Sequence, residues 1–136
     1  MELNDMKELA SNGEEGIWVT WDDARFKIRS TSSKTYLRAI QKASKGKSNH
    51  KLTKDLEVAE KFGVEAMADG LLIDWENVTV DGKQIECTRE NRIKVLEIAK
   101  PLREFLAGEA QDYTNFESEK EEDDSATFQS DSGVDE

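Results

Sequence analysis

The chain has 136 residues, of which 30 are acidic and 19 are lysine or arginine, giving a net charge of −11. This length suits one domain with appendages, and the charge argues against plain binding of the whole molecule to nucleic acid or to an anionic membrane. No apolar run approaches the length of a membrane span, the acidic N-terminus does not look like a signal peptide, and the single cysteine, Cys87, cannot form an internal disulfide. We therefore expect a cytoplasmic protein without a membrane partner.

Charge is distributed unevenly along the chain. Residues 117–136 contain nine acidic side chains and one lysine, with few large apolar residues. Such a segment cannot bury enough apolar surface to offset the entropy of ordering, so we predict a disordered acidic tail. Residues 25–54 carry ten lysines or arginines and no acid. The two segments are expected either to fold loosely onto each other or to face different partners.

The first 30 residues predict a flexible segment and then a β-hairpin. Residues 1–15 are interpreted as a weakly structured, flexible N-terminus. Residues 16–21 are rich in β-branched and aromatic side chains, which favours a strand. After a turn at Asp22-Asp23, residues 25–29 alternate charged and apolar side chains, so Phe26 and Ile28 should face a core.

The next 40 residues predict a helix, a loop and a second helix. Thr31, Ser32 and Ser33 are suitable caps for a helix over residues 34–43, and the polar residues 44–51 are predicted as a loop. A helix over residues 53–70, capped by Thr53, carries an apolar stripe, although Gly63 lowers its helix propensity. The stripe consists of Leu56, Ala59, Phe62, Ala66 and Met67.

The C-terminal half combines short extended pieces with helices. Residues 73–78 are compatible with a helix end or with extended chain, and residues 78–87 predict two short extended pieces around an Asp81-Gly82 turn. Thr88 precedes a helix over residues 89–100, in which Ile93, Leu96 and Ile98 are expected to point inward. Pro101 should end or kink this helix, and residues 102–113 predict another.

These elements together predict an α+β fold that is mainly helical. A small N-terminal β-hairpin is expected to pack on three to four helices within a single domain over residues 16–116. The disordered acidic tail would follow this domain.

The chain offers few side chains for catalysis. His50 lies in a polar basic stretch, where a surface residue is more common than a general base, and Cys87 has no histidine near it in sequence. No zinc-binding pattern, phosphate-binding glycine loop or nucleophile elbow is present. We therefore expect neither an enzyme nor a bound cofactor.

Four carboxylates lie close together in sequence: Asp69, Asp74, Glu76 and Asp81. Their spacing does not match a calcium-binding loop. In a chain this acidic, caps and solvated turn residues explain them better than a metal site does, so we expect no metal.

The basic segment is a candidate binding patch. Cations on the exposed face of a hairpin and on the following helix could follow a phosphate backbone, but the net charge and the acidic tail oppose nucleic-acid binding. We favour a solvated face or a protein-docking patch, and we do not expect a nucleic acid as partner. The candidate residues are Arg25, Lys27, Arg29, Lys34, Arg38 and Lys42.

The three tryptophans, Trp18, Trp21 and Trp75, are expected to be core anchors because their neighbours in sequence are apolar. An exposed tryptophan would instead mark an interface, and the sequence does not say which of the three, if any, is exposed.

The order of motifs in the C-terminal half resembles the tail assembly chaperones of long-tailed bacteriophages. In that family a Trp-Glu segment is followed by an Asp-Gly turn, a helix that starts with Thr/Ser-x-Glu-Asn, and a closing Asn-Phe. The matching pieces here are Asp74-Trp75-Glu76-Asn77-Val78, Val80-Asp81-Gly82-Lys83, Thr88-Arg89-Glu90-Asn91 and Asn115-Phe116. The resemblance covers residues 50–116, and the link Ile85-Glu86-Cys87 and the dense basic segment depart from the pattern.

The resemblance implies a non-catalytic chaperone in the host cell cytoplasm, with the phage tape-measure protein and tail tube protein as partners. We expect an apolar helix of the tape-measure protein to bind apolar residues on the helices, with Leu102, Phe105 and Leu106 as candidates. Trp75, Asp81 and Gly82 would be structural residues of the turn. A homo-oligomer is also compatible with the resemblance.

A second hypothesis comes from a different class of protein. A small acidic inhibitor could mimic nucleic acid and occupy a host nucleic-acid-binding or defence protein. Carboxylates arrayed on the folded surface would mark such a protein, whereas most of the acidic excess here is confined to the tail, so we rank this hypothesis second.

Overall fold

The computed structural model describes residues 1–118. The predicted disordered tail therefore lies outside the described residues, apart from its first two positions. The helices are α1 (Leu3–Glu15), α2 (Lys34–Ser44), α3 (Asn49–Lys54), α4 (Leu56–Gly70), α5 (Arg89–Ile98) and α6 (Lys100–Gln111), followed by a 3₁₀ turn at Tyr113–Phe116. The strands are β1 (Ile17–Trp21), β2 (Ala24–Ile28), β3 (Leu72–Glu76), β4 (Thr79–Val80) and β5 (Lys83–Gln84).

The predicted α+β, mainly helical fold is confirmed. The hairpin expected over residues 16–30 is β1 and β2, and β3 adds to it, giving an antiparallel sheet in the order β1-β2-β3. The segment that was ambiguous between helix and strand is thus a strand. On β2 the apolar side chains Phe26 and Ile28 are buried, as the alternating pattern predicted, because one face of the sheet packs on helices.

The core lies between this face of the sheet and the helices. Phe26 meets Trp75 of the neighbouring strand edge-on, with ring centroids 6.3 Å apart. Helices α4, α5 and α6 contribute buried apolar side chains such as Val64, Leu96 and Leu106 to the same cluster. Burial of each such side chain stabilises the fold by about 1.5–3 kcal/mol, so this shared cluster is the main source of stability.

The prediction of a flexible segment over residues 1–15 is wrong, because residues 3–15 form α1. Contacts with distant residues hold this helix in place. The Asn12 side chain donates a hydrogen bond to the Phe116 carbonyl at 2.8 Å, and Arg29 Nε donates one to the Glu14 carbonyl at 2.9 Å. Tertiary contacts of this kind outweigh weak local propensity.

Two boundaries differ from the predictions for residues 44–70. Residues 49–54 form the short helix α3 instead of continuing the predicted loop, with the Ser48 side chain accepting a hydrogen bond from the Lys51 N–H. The cap of α4 is Asp55 rather than Thr53, and the helix continues through Gly63. Carboxylates and hydroxyls are comparable caps, so local chemistry alone does not choose between Thr53 and Asp55.

Thr88 caps α5 as predicted, its hydroxyl accepting from the Asn91 N–H. The following helix begins earlier than expected, because the chain leaves helical geometry at Ala99 and resumes it at Lys100. Pro101 occupies the first turn of α6, where its missing N–H costs no intrahelical bond. The break predicted at Pro101 is therefore present two residues earlier, at Ala99, and the proline lies in the first turn of the next helix.

Helices α2 and α4 approach closely at Gly70. A Cβ atom built on Gly70 would lie 2.7 Å from the Ala39 Cβ and 2.7 Å from the Tyr36 Cα. Because one of these atoms belongs to the backbone of α2, the helices would have to separate to admit a methyl group. The absence of a side chain at this position therefore sets the distance between the two helices.

The substitution Gly70→Ala should lower the free energy of unfolding by about 1–3 kcal/mol through overpacking. Gly63 is the matched control, because it lies within the same helix and a Cβ there would meet no atom within 4 Å. Gly63→Ala should raise the free energy of unfolding by about 0.5–1 kcal/mol. Urea unfolding followed by circular dichroism measures both, and effects of the same sign would contradict the close approach.

The carboxylate of Glu14 joins α1 to the start of α2. It accepts hydrogen bonds from the Lys34 N–H at 2.8 Å and from the Thr35 hydroxyl, and Arg29 lies 3.6 Å away. The hydrogen bond from Thr35, the backbone N–H groups and the charge of Arg29 together lower the pKa of Glu14. The carboxylate is thus favoured in its charged form, next to the positive end of the α2 dipole.

A lowered pKa in the folded state makes Glu14 stabilising at neutral pH, and this contribution should be lost as the pH falls through the folded pKa. The stability difference between the natural chain and Glu14→Gln should therefore be largest above about pH 5 and should shrink below about pH 4.3, the ordinary pKa of glutamate. Urea unfolding at several pH values measures this difference. A difference that grows on acidification would contradict the assignment.

Candidate functional site

A shallow apolar groove lies where the turn of the first hairpin, the β4–β5 hairpin and the junction of α5 and α6 meet. Its volume is about 340 Å³, near the lower end of the range for ligand pockets. Asp22, Asp23, Asn77, Thr79 and Lys94 provide its polar rim. The apolar lining consists of Trp21, Ala24, Phe26, Val78, Val80, Ile85, Val95, Ile98, Ala99 and Leu102.

One wall of the groove is the β4–β5 hairpin. Its turn places Asp81 at φ 52° and Gly82 at φ 80°, two consecutive positive φ values that Asp-Gly adopts readily and that match the twist of a tight hairpin. Trp75 attaches the end of this hairpin to the core, because its indole N–H donates a hydrogen bond to the Ile85 carbonyl at 2.9 Å. The tryptophan thereby positions Ile85 at the groove.

Asn77 connects this wall to the turn of the first hairpin. It has φ 65°, an uncommon conformation that asparagine tolerates better than most residues. Its side-chain amide donates a hydrogen bond to the Asp23 carbonyl at 2.8 Å. The two hairpins are therefore held side by side at the rim of the groove.

The opposite wall is the junction of α5 and α6. Ile98 is the last residue of α5 and is 76% exposed, and Val80 on the facing hairpin is 50% exposed. The expectation that Ile98 points inward is wrong, because the chain turns at Ala99 and leaves this side chain outside the core. Two exposed aliphatic side chains at one apolar groove favour binding of an apolar partner.

Arginine side chains anchor the helices that carry this wall. Arg92 on α5 donates to the Ala68 carbonyl at 2.7 Å and to the Cys87 carbonyl at 2.8 Å. Arg103 on α6 donates to the Leu96 carbonyl at 3.0 Å and to the Glu60 carboxylate at 2.9 Å. These bonds tie α5 and α6 to α4, so the groove is formed without a partner.

A larger and more polar depression of about 650 Å³ runs along β1. Arg25, Glu109 and Glu117 contribute charged groups to its lining. Phe105 also lies there and packs on Trp21 with ring centroids 4.9 Å apart. Its charged lining makes this depression less suited to an apolar segment than the smaller groove.

The structure corrects two of the three predicted partner-binding residues. Leu102 is 5% exposed and Leu106 is 0% exposed, so both belong mainly to the core, with Leu102 touching the floor of the groove. Their spacing of four residues places them on one face of α6, and this face packs inward. Phe105 is partly exposed but lies at the larger depression.

The six predicted basic residues do not form one continuous free patch. On β2, Arg25 pairs with Glu76 at 3.0 Å and lies over the Trp18 ring at 4.6 Å. Arg29 is held by Glu14, and Lys27 stands opposite Asp74 in the sheet register. The other three, Lys34, Arg38 and Lys42, are exposed on α2.

The potentially reactive and metal-binding side chains have ordinary surroundings. Burial raises the pKa of the Cys87 thiol, despite the nearby Arg92, and His50 is exposed on α3. Asp69 forms a two-pronged ion pair with Arg89 at 2.6 and 3.1 Å. Within residues 1–118, no cluster of three or more histidine, cysteine or acidic side chains is arranged to hold a metal ion.

Comparison with family models gives a match to the family described as YdaY prophage protein, over residues 29–126. The chain belongs to the YdaY prophage protein family. It is therefore a phage-derived protein. Comparisons with curated proteins and with solved structures gave no match. Within the part of the chain that the structure describes, no helix is long and apolar enough to span a membrane.

Replacing Trp75 by phenylalanine removes the donor to Ile85 while keeping an aromatic ring in the core. Trp75→Phe should lower the free energy of unfolding by about 1–2 kcal/mol, the cost of leaving a partly buried carbonyl without its partner. Urea unfolding followed by far-ultraviolet circular dichroism measures this change without relying on tryptophan fluorescence. The amide signals of residues 78–85 should shift most in a nuclear magnetic resonance spectrum, and unchanged signals there would contradict the anchoring role.

Proposed function

We propose that this YdaY-family protein is a non-catalytic tail assembly chaperone that binds an apolar helical segment of a phage tape-measure protein and aids assembly of the tail tube. The observation that carries the proposal is the preformed apolar groove with Ile98 and Val80 exposed at its edges. The phage origin of the family and the motif order of residues 50–116 support it.

An amphipathic helix is the partner that this groove suits best. Such a helix presents aliphatic side chains every three or four residues, and two or three of them can enter an apolar groove together. The polar rim, with Asp22, Asp23 and Lys94, would face the charged side of the bound helix. The shallow groove provides an anchor point rather than full enclosure, which suits a chaperone that must later release its partner.

The acidic-inhibitor hypothesis gains less support from the described residues. Several of their carboxylates are paired within the chain, including Glu14 with Arg29, Asp69 with Arg89 and Glu76 with Arg25. A nucleic-acid mimic needs its carboxylates free to meet the cations of its target. We therefore retain the chaperone as the proposed function.

Co-expression with the tape-measure protein of the same prophage tests the proposal. The natural chain should increase the soluble fraction of that protein. The variant Ile98→Glu should weaken their complex by at least about tenfold, because burial of one aliphatic side chain contributes about 1.5–3 kcal/mol. Affinity is measured by isothermal titration calorimetry with a soluble fragment of the tape-measure protein.

Leu56→Glu is the matched control, since Leu56 is also an exposed aliphatic side chain, at 83%, but lies outside the groove. It should bind like the natural chain. Equal solubility of the tape-measure protein with and without the natural chain would refute the chaperone role. Equal weakening by both substitutions would refute the groove as its site.

A further inference from the structure

Helices α2 and α3 and the loop between them carry a basic surface. We define the basic surface as Lys34, Arg38, Lys42, Lys45, Lys47, Lys51 and Lys54. None of these side chains takes part in an ion pair among residues 1–118. On β2, in contrast, Arg25 pairs with Glu76 and Lys27 lies opposite Asp74, so the densest group of unpaired cations lies on α2, α3 and the loop between them.

The spacing along α2 fixes these charges in a row. Lys34, Arg38 and Lys42 follow one another at four-residue intervals, which places them on one face of the helix. The other face buries Ala39 and Ala43 against α4. Like charges at this spacing repel one another, and the helical backbone holds the spacing fixed. An anionic segment laid along this face would relieve the repulsion.

The chain itself contains such a segment. Residues 119–136 hold eight acidic side chains and one lysine. Ser118, the residue before them, contacts Glu8 on α1 through a hydrogen bond. Further along α1, Glu14 accepts a hydrogen bond from the Lys34 N–H at 2.8 Å. The acidic segment therefore starts close to the N-terminal end of the basic surface.

The distances allow contact along the whole of α2. Glu8 and Glu14 are separated by about 9 Å along α1, and the row from Lys34 to Lys42 spans about 12 Å, at a rise of 1.5 Å per residue. The 18 residues after Ser118 reach up to about 60 Å when extended. The first acidic cluster, residues 119–124, reaches about 20 Å, enough to approach Lys34 and Arg38.

We propose that residues 119–136 bind the basic surface of the same molecule and shield it from other polyanions. Attachment through Ser118 gives this segment a high effective concentration at the surface, which a separate partner must overcome. A nucleic acid must also approach a molecule of net charge −11. These two arguments favour the chain's own acidic segment over nucleic acid as the occupant.

Paramagnetic relaxation in the full-length chain tests the contact. A nitroxide attached at position 130, through Ser130→Cys in a Cys87→Ser background, should broaden the amide signals of α2 in low salt. The broadening should disappear at about 1 M salt, where the screening length is ~3 Å. Absence of broadening in low salt would overturn the proposal. In a second sample, spin-labelled chains without isotope are mixed with isotope-enriched chains without the label. Broadening confined to this mixed sample would also overturn the proposal, because the contact would then join two molecules.

Charge variants show whether the contact is specific. The triple variant Arg38→Gln, Lys42→Gln, Lys45→Gln should abolish the broadening of α2. The control, Lys61→Gln, Lys83→Gln, Lys94→Gln, removes the same number of charges from exposed positions elsewhere and should preserve it. Equal effects of the two variants would show nonspecific attraction and overturn the proposal.

Binding of duplex DNA tests whether the acidic segment shields the basic surface from another polyanion. A full-length variant with Glu121→Gln, Glu122→Gln, Asp123→Asn and Asp124→Asn should bind a short duplex more tightly than the natural chain does, with a steep salt dependence. Equal affinities of the two proteins for the duplex would mean that the acidic segment does not shield the surface, and the proposal would fail.

Discussion

The position of Trp75 is the constraint on which much of the architecture depends. Its ring is buried on β3 against Phe26, and its indole N–H reaches the Ile85 carbonyl beyond the second hairpin. A buried indole needs a partner for its single donor, and the chain supplies one only by folding residues 77–85 back over the sheet. The core, the second hairpin and one wall of the groove are therefore fixed by the same side chain.

Arginine side chains hold the C-terminal ends of α1, α4 and α5, and one of them, Arg29, comes from the basic segment. Arg29, Arg92 and Arg103 each donate to backbone carbonyls of other segments. A guanidinium presents several donors in a rigid planar arrangement, whereas a lysine ammonium is a compact charge on a flexible stem. The side chains left exposed on α2 and α3 are mainly lysines. The cations that hold distant segments together are therefore arginines, whereas most of those without a carboxylate partner on α2 and α3 are lysines.

Much of the fold could be predicted from local patterns, while the errors share one physical cause. The alternation of charged and apolar side chains predicted the strand that contains Phe26 and Ile28, and the Asp81-Gly82 pair predicted the turn of the second hairpin. Helix α1 was missed because its anchors, the Phe116 carbonyl and Arg29, are distant in sequence. Leu106 was placed on the surface and Ile98 in the core because helical periodicity identifies an apolar face without saying what covers it. The groove needs three separate segments, so no local pattern could have predicted it.

Helix α4 packs against the helices that carry the basic surface and against α5, which lines the groove. It contacts α2 and α3, which precede it in the chain, and α5, which follows it. The groove draws on β4, β5 and the α5–α6 junction, while the basic surface lies on α2 and α3. An apolar partner in the groove would not have to displace charges, and an anionic segment on α2 would not have to enter the groove. Because the groove and the basic surface share no residues, the proposed apolar partner and the acidic segment would not compete for the same side chains.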